Sequence, residues 1–339
     1  MKFLSEFKWI ILFYLLFLLA WAGYSKWQEL TTPVTQSAPA VVFEIPKGSS
    51  FLTIAGELEK RGLIRSKEAF YILAWYRKEL ALLKAGEYKL SPAMSPEEIL
   101  EILVSGKVVR HLVTIPEGYN MFQIARLLDR GGLAKNDAFL AACTDWDFLR
   151  KHRIQGDSAE GYLFPESYYL SKSSSASEIA ATFILQFWKV WKDNGFDTRV
   201  AEIGSTVNEV VTLASIVELE AAVQDEKPLI ASVFWNRLER GIPLQADPTV
   251  KYGVLIERKI KKKRLTWKDL RKSTPYNTYT LKGLPKGPVC NPGLESLKAV
   301  LYPKKTDYLF FVSKGNGRHH FSKTLREHNR AVNKYIRHR

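Results

Sequence analysis

Residues 9–24 read WIILFYLLFLLAWAGY, and no charge falls between Lys8 and Lys26. No other feature limits the chain as strongly. A helix rises 1.5 Å per residue, so a bilayer span takes about 17–25 apolar residues. This run is short but adequate, with interfacial Trp and Tyr at its ends. It is also the only stretch that could cross a bilayer, which excludes a multi-span protein. A cleaved signal peptide is the alternative, because Ala20-Trp21-Ala22 resembles a small-x-small processing site. The bulky Trp and Tyr around that site favour an uncleaved anchor. Lys2 and Lys8 precede the run, so the N-terminus is expected in the cytoplasm and the rest of the chain outside.

Beyond the run the chain has ordinary globular composition. Of 339 residues, 46% are hydrophobic and 25% charged, which excludes a wholly disordered protein. Two cysteines, Cys143 and Cys290, exclude a disulfide scaffold and a four-cysteine zinc site, while leaving one optional bridge open. Residues 30–40 (LTTPVTQSAPA) read as a flexible tether.

The folded part opens with an internal repeat. Ile45-Pro46-Lys47-Gly48, Ile54-Ala55, Leu58, Gly62-Leu63 and Phe70 recur as Ile115-Pro116-Glu117-Gly118, Ile124-Ala125, Leu128, Gly132-Leu133 and Phe139. The offset is 70 residues, slipping by one at the end. Each copy predicts a short strand, a Pro-x-Gly turn and two helices. The first copy lacks an evident helix cap, whereas Ser95-Pro96-Glu97-Glu98 between the copies is a capping box. Units of this kind resemble LysM modules, which bind N-acetylglucosamine polymers. A structural duplication that only spaces the next domain is the alternative.

Residues 158–170 (SAEGYLFPESYYL) then break the helical rhythm, either lining a cleft or packing as a connection. A long helix is expected at 176–193. Thr206 and Glu209 form another capping box ahead of a helix that is apolar around most of its circumference. On its wheel Glu218 falls between Val207 and Val211, and Glu220 points about 160° away, on the face of Glu209. A carboxylate at the apolar boundary of a buried helix costs several kcal/mol unless it is paired or protonated. Protonation near neutral pH suits a general acid. The bland reading is an ion pair with a nearby Arg or Lys, such as Arg237. A second helix is expected at 230–240, ended by Gly241. That helix carries Asn236, and turn-rich loops then carry Gln245, Asp247, Tyr276, Asn277, Tyr279 and Asn291, amides, phenols and a carboxylate of the kind that hold sugars. Asp247-Pro248-Thr249 and Tyr252-Gly253 are read as part of these loops. Gly315-Asn316-Gly317 predicts a hairpin turn.

These segments together are familiar. LASIVELEA at 213–221, IASVFWNRLERGIPLQADPTVKYG at 230–253, TPYNTY at 274–279, GLPKGPVCNPG at 283–293 and TDYLFFVSKGNGRHHFSKTLREHNR at 306–330 resemble the endolytic murein transglycosylases of the MltG (YceG-like) family. The order and density of the motifs make the resemblance specific. It implies an α+β protein, with a transmembrane helix, LysM-like small subdomains and a mixed catalytic domain. The boundaries implied are a cytoplasmic tail at 1–8, an anchor at 9–25 and a linker at 26–40. A LysM-like subdomain follows at 41–110, a second repeat-like unit and connection at 111–157, and the catalytic domain at 158–339. It implies cleavage within nascent peptidoglycan strands with 1,6-anhydro-N-acetylmuramic ends, and Glu218 as the catalytic residue. Leu219 departs from the family's usual basic residue, Ala246 from Ser or Thr, Thr274 from Ser and Lys286 from proline.

One well-placed carboxylate fits this chemistry, because the muramic 6-hydroxyl replaces the water that an ordinary two-carboxylate glycosidase activates. Asn236, Gln245, Asp247, Tyr276 and Asn277 are expected to position sugar, with Tyr279 and Asn291 as further substrate contacts. No H-E-x-x-H, G-x-S-x-G or cysteine-nucleophile pattern occurs, so no metal or cofactor is called for. The expected partners are glycan strands, the membrane and peptidoglycan synthases of the penicillin-binding type, and not nucleic acid. The rival from another class is a non-catalytic wall-binding anchor that recruits a synthase. The net charge of +15 sits mostly in two segments: 257–272 and 314–339 each carry +7. Anionic lipid or stem carboxylates are the expected counter-charges, and an exported body removes the nucleic-acid reading of the 258–264 run.

Overall fold

The structure is a computed structural model that describes residues 2–260, 262 and 264–337. Lys261 and Lys263 of the basic run, and His338 and Arg339 of the basic C-terminal segment, lie outside the described residues, as does Met1 of the tail. The chain divides into two compact units, 1–111 with 171–173, and 112–170 with 174–339.

The first unit begins with α1 (Lys2–Thr31), of which residues 10–31 are long and apolar enough to cross a bilayer. Its apolar side chains from Ile10 to Leu19 are exposed, as a lipid-facing helix requires. The helix runs past the expected anchor and into the expected linker. Trp27 packs against the core of the unit. The chain beyond α1 is bonded rather than loose: Thr35 N donates to Pro92 O, Ser91 Oγ to Ala38 O, and Arg65 to the carbonyls of Pro33 and Val34. The linker expected at 26–40 is therefore an ordered arm, because its carbonyls find donors on the unit it precedes. Next come β1 (Val41–Ile45), α2 (Phe51–Lys60), α3 (Lys67–Tyr76), β2 (Gly86–Leu90) and α4 (Pro96–Ser105). β1 and β2 pair antiparallel, Phe43 opposite Tyr88, and their inner faces meet Ile54, Leu58 and Leu73. The first copy does have caps: Ser50 and Ser66 each accept from a backbone N–H of the helix they precede.

In the second unit the pattern returns as β3 (His111–Thr114), α5 (Met121–Arg130), α6 (Asn136–Ala142), α7 (Trp146–Lys151) and β4 (Ser167–Leu170), with β3 paired to β4. This second copy shares one core with the helices from residue 176 onward and does not stand apart as a domain at 111–157. α8 (Ala176–Asp193) has the bounds expected. α9 (Phe196–Glu202) leads to α10 (Val207–Glu220), the buried helix, capped by Thr206 as predicted. α11 (Lys227–Glu239) starts three residues earlier than the expected 230. α12 (Asp247–Arg258) replaces the loop expected there, since Pro248 in the first turn gives up only an N–H that no helix would use. α13 (Trp267–Arg271), α14 (Leu294–Leu301), the hairpin β5 (Phe310–Ser313) and β6 (His319–Ser322), and α15 (Leu325–Val332) complete the unit. The hairpin forms across Gly315-Asn316-Gly317 as read from sequence. α10 is the axis of this unit: residues 210–217 are all buried, packed by α11, α12 and α14.

Candidate active site

Two features of α10 make its last turn costly. It ends a buried helix, and it carries Glu218 and Glu220 at the negative end of the helix dipole. For Glu218 the compensation comes from two other elements. Lys227 at the start of α11 places Nζ 3.2 Å from both carboxylate oxygens. At the N-terminus of α14, Gly293 N donates to Oε2 at 3.0 Å and Ser296 Oγ at 2.6 Å. The positive end of one helix thus offsets the negative end of another. The pair is buried, Lys227 5% and Glu218 8% exposed at the side chain. Arg237, the partner considered from sequence, is elsewhere: its guanidinium binds the carbonyls of Leu309, Pro243 and Leu244.

Glu117 stands over this pair. Its carboxylate is half exposed and lies 3.8 Å from Lys227 Nζ. Desolvation, and then the charge of Glu218, raise its carboxyl above the usual range. A Cβ at Gly293 would collide with Glu117, so glycine is what allows the two segments to meet. Lys227, Glu117 and Ser296 escaped the sequence reading. Only Glu117 left a signal: it stands where the first repeat copy has Lys47.

On the other side of α10's last turn, Leu219 is 42% exposed and lines an open cavity of about 210 Å³ with Asn120, Lys251 and Tyr252. Beyond it Tyr279 donates to Asp247 at 2.7 Å. Glu220 lies near that pair, and burial followed by the Asp247 charge raises its carboxyl to about 7. Glu220 therefore lies near Asp247 and Tyr279. Gln245, two residues before α12, is exposed in a left-handed backbone conformation at φ 52°, its N–H on Thr278 O.

The remaining candidates are not at the cleft. Tyr276 is half-buried against Tyr252, ring centroids 5.1 Å apart, and burial followed by Glu160 raises its hydroxyl to about 12. Asn277 is fully buried and its amide donates to the carbonyls of Asp269, Leu270 and Lys272. Asn291 is fully buried too; its Oδ1 accepts from Gly161 N and Leu163 N, and its Nδ2 donates to Glu160 and Tyr119 O. Asn236, near the far end of α11, donates to Thr306 O and Tyr308 O. These three asparagines tie backbone together and are not brought to Glu218.

The EGYLFPESY segment contributes a buried acid instead. Glu160 is 1% exposed and accepts from Met121 N, Tyr252 Oη and Asn291 Nδ2. Burial outweighs those donors and raises its carboxyl to about 7. Both cysteines are buried and free. In the basic run, Lys262 is paired with Asp269, Lys272 with Glu257, and Lys259 lies over the Phe122 ring. Part of that charge is thus internally satisfied.

Comparison with known proteins agrees with the motifs. The profile described as the YceG-like family matches residues 43–334. The chain is 34% identical to the endolytic murein transglycosylase of Bacillus subtilis strain 168 over 329 residues, 91% of this chain and 89% of that protein. It is 31% identical to the endolytic murein transglycosylase of Streptococcus pneumoniae serotype 2 strain D39, covering 98% of this chain and 66% of that one. Its fold is similar to a 2.6 Å crystal structure of a protein described as yceG-like from Listeria monocytogenes, at TM-score 0.59 and 34% identity, covering 87% of this chain and all of that one.

Proposed function

The chain belongs to the YceG-like family, and on that premise we propose that it is an endolytic peptidoglycan lytic transglycosylase with Glu218 as its catalytic acid and base. The observation that carries the reading is the setting of Glu218, a buried carboxyl held by Lys227 and the α14 N-terminus, one residue before Leu219, which lines an open cavity. The reaction moves one proton in and one out. Protonated Glu218 gives its proton to the oxygen between N-acetylmuramic acid and N-acetylglucosamine, and the C1–O4 bond breaks. The resulting carboxylate takes the proton of the muramic 6-hydroxyl as O6 bonds to C1. The product end is 1,6-anhydro-N-acetylmuramic acid and Glu218 is protonated again. Lys227 stabilises the anion between the two transfers, and its two equal contacts fix the plane of the carboxyl.

Tyr279 and Asp247, bonded to each other near Glu220, and Gln245 just ahead of α12 are suited to holding sugar hydroxyls and offsetting oxocarbenium charge. In this reading α1 anchors the protein with its N-terminus in the cytoplasm, and both units lie outside. The βααβ unit at 41–90 is offered as a LysM-like glycan binder, and the protein as a terminator of strand growth beside a synthase. The test is cleavage of purified glycan strands by the full-length protein in detergent. Glu218→Gln keeps the size of the side chain and should lower kcat at least 100-fold, as expected for loss of a general acid. Binding without cleavage by the wild type, unchanged by Glu218→Gln, would instead support a non-catalytic anchor.

A further inference from the structure

α14 leads away from Glu218. Its first turn binds the carboxylate through Gly293 and Ser296, and its eight residues carry the chain about 12 Å further. A cavity of about 330 Å³ beside it is lined by Pro228, Glu295, Lys298 and Tyr302. A second opening, about 610 Å³, is joined to it by two contacts between their linings: Lys304 N donates to Pro228 O, and the Arg199 guanidinium lies over the Tyr302 ring. One side is the half-buried Trp235 ring, fixed by its indole N–H on Val300 O. Asn236 also lines this groove, and since both hydrogens of its amide are used on backbone, its Oδ1 is what it can offer there.

The charges in the groove divide into satisfied and unsatisfied. Arg199 is paired with Glu202, Asp307 with Lys323, and Lys298 nearby with Glu295. Lys304, Lys305 and Glu239 have no ion pair among the described residues. Two unsatisfied cations, one unsatisfied anion and an aromatic wall form a concave receptor for a discrete zwitterion with excess carboxylate. A planar anionic membrane would match neither the concavity nor Glu239.

We propose that this groove is a remote subsite for the peptide stem of the strand being cut. It rests on the peptidoglycan reading given above. A stem carries several carboxylates and, on its diamino acid, one free ammonium. Lys304 and Lys305 take carboxylates, Glu239 takes the ammonium, and Trp235 covers the aliphatic chain between them. The enzyme thereby prefers strands bearing a stem at a fixed distance from the bond it breaks.

The test compares kcat/KM of the full-length protein on stemmed strands and on the same strands stripped of stems by an amidase. The wild type should favour stemmed strands. Lys304→Ala with Lys305→Ala should remove that preference, lowering kcat/KM on stemmed strands about fivefold, the scale of two exposed charge pairs, and leaving stripped strands unchanged. Glu239→Gln should weaken stemmed strands only when the stem amine is free, not when it is acetylated. A wild type that cuts both substrates equally, or a double variant that loses both equally, overturns the subsite and leaves the transglycosylase reading standing. No cleavage of either substrate by the wild type overturns both. If the double variant keeps its preference for stemmed strands but binds anionic phospholipid vesicles more weakly, the lysines belong to the membrane and the subsite fails.

Discussion

The Glu218–Lys227 pair behaves differently from a surface ion pair. Both side chains are nearly out of water, so removing one leaves the other buried with weaker partners, Glu117 for Lys227, and Gly293 N with Ser296 Oγ for Glu218. Lys227→Ala should therefore lower stability by about 3–5 kcal/mol in chemical denaturation, and Glu218→Gln in the same chain should restore part of it. A loss below about 1 kcal/mol, the scale of exposed pairs, would mean that the pair is solvated. Glu160 gives a pH signature of its own. Its carboxyl titrates at 4.5 ordinarily and at about 7 in the fold. Between those values the native state holds a proton that the unfolded chain has lost. Its contribution is full below about pH 4.5 and disappears as pH rises through about 7, on the order of 3 kcal/mol. Glu160→Gln should flatten that fall in the stability curve from pH 5 to 8; an unchanged slope would assign it to other groups. At this scale the burial and pairing of Glu218 were legible because a carboxylate on an otherwise apolar helix has few physical explanations. Lys227 was not, because its pairing depends on the turn between α10 and α11. Asn277 and Asn291 misled the sequence reading because an asparagine in a turn looks the same whether its amide faces a ligand or binds backbone.

Elements were read best where a cap and a period agreed. α8 and α10 are of this kind, each with a Ser or Thr cap and an acid three residues on. α12 was read as loop because Asp-Pro-Thr and Tyr-Gly are turn signals, yet the same Asp and Pro suit the first turn of a helix. The first repeat copy hid its caps because Ser50 and Ser66 lack the partner acid that makes a capping box easy to see. The end of α1 is the misread element with the clearest consequence. Trp27 packs on the first unit's core, and the arm after Thr31 is bonded to Arg65, Ser91 and Pro92. Deleting residues 1–25 should leave the thermal transition of the first unit in place. Deleting residues 1–40 should cost about 2 kcal/mol, the scale of burying one large apolar side chain. Equal transitions for the two truncations would show that the arm is a tether after all.

For the whole molecule, the sequence made three things plain: an apolar N-terminal helix, a duplicated strand-helix-helix pattern, and a charge gathered in two segments. The two copies are expected as separate units at 41–110 and 111–157, but nothing in the duplication hints that the second copy shares its core with the helices from residue 176 onward, since its apolar faces look like those of the first and differ only in what they pack against. Nor did composition reveal that Lys262 and Lys272 are paired within their own segment. The proposed site joins distant parts of the sequence, with Glu117 from the repeat, Glu218 and Lys227 from adjoining helices, and Gly293 and Ser296 from a third. Such an arrangement suits one carboxyl serving as acid and then base without an activated water. The most direct measurement is the chemistry of the new glycan ends, read by mass spectrometry after digestion with the wild type and with Glu218→Gln. The wild type should give ends lighter by one water, as 1,6-anhydro-N-acetylmuramic acid, and the variant almost none. Reducing ends from the wild type, or anhydro ends at the wild-type rate from Glu218→Gln, would contradict this mechanism.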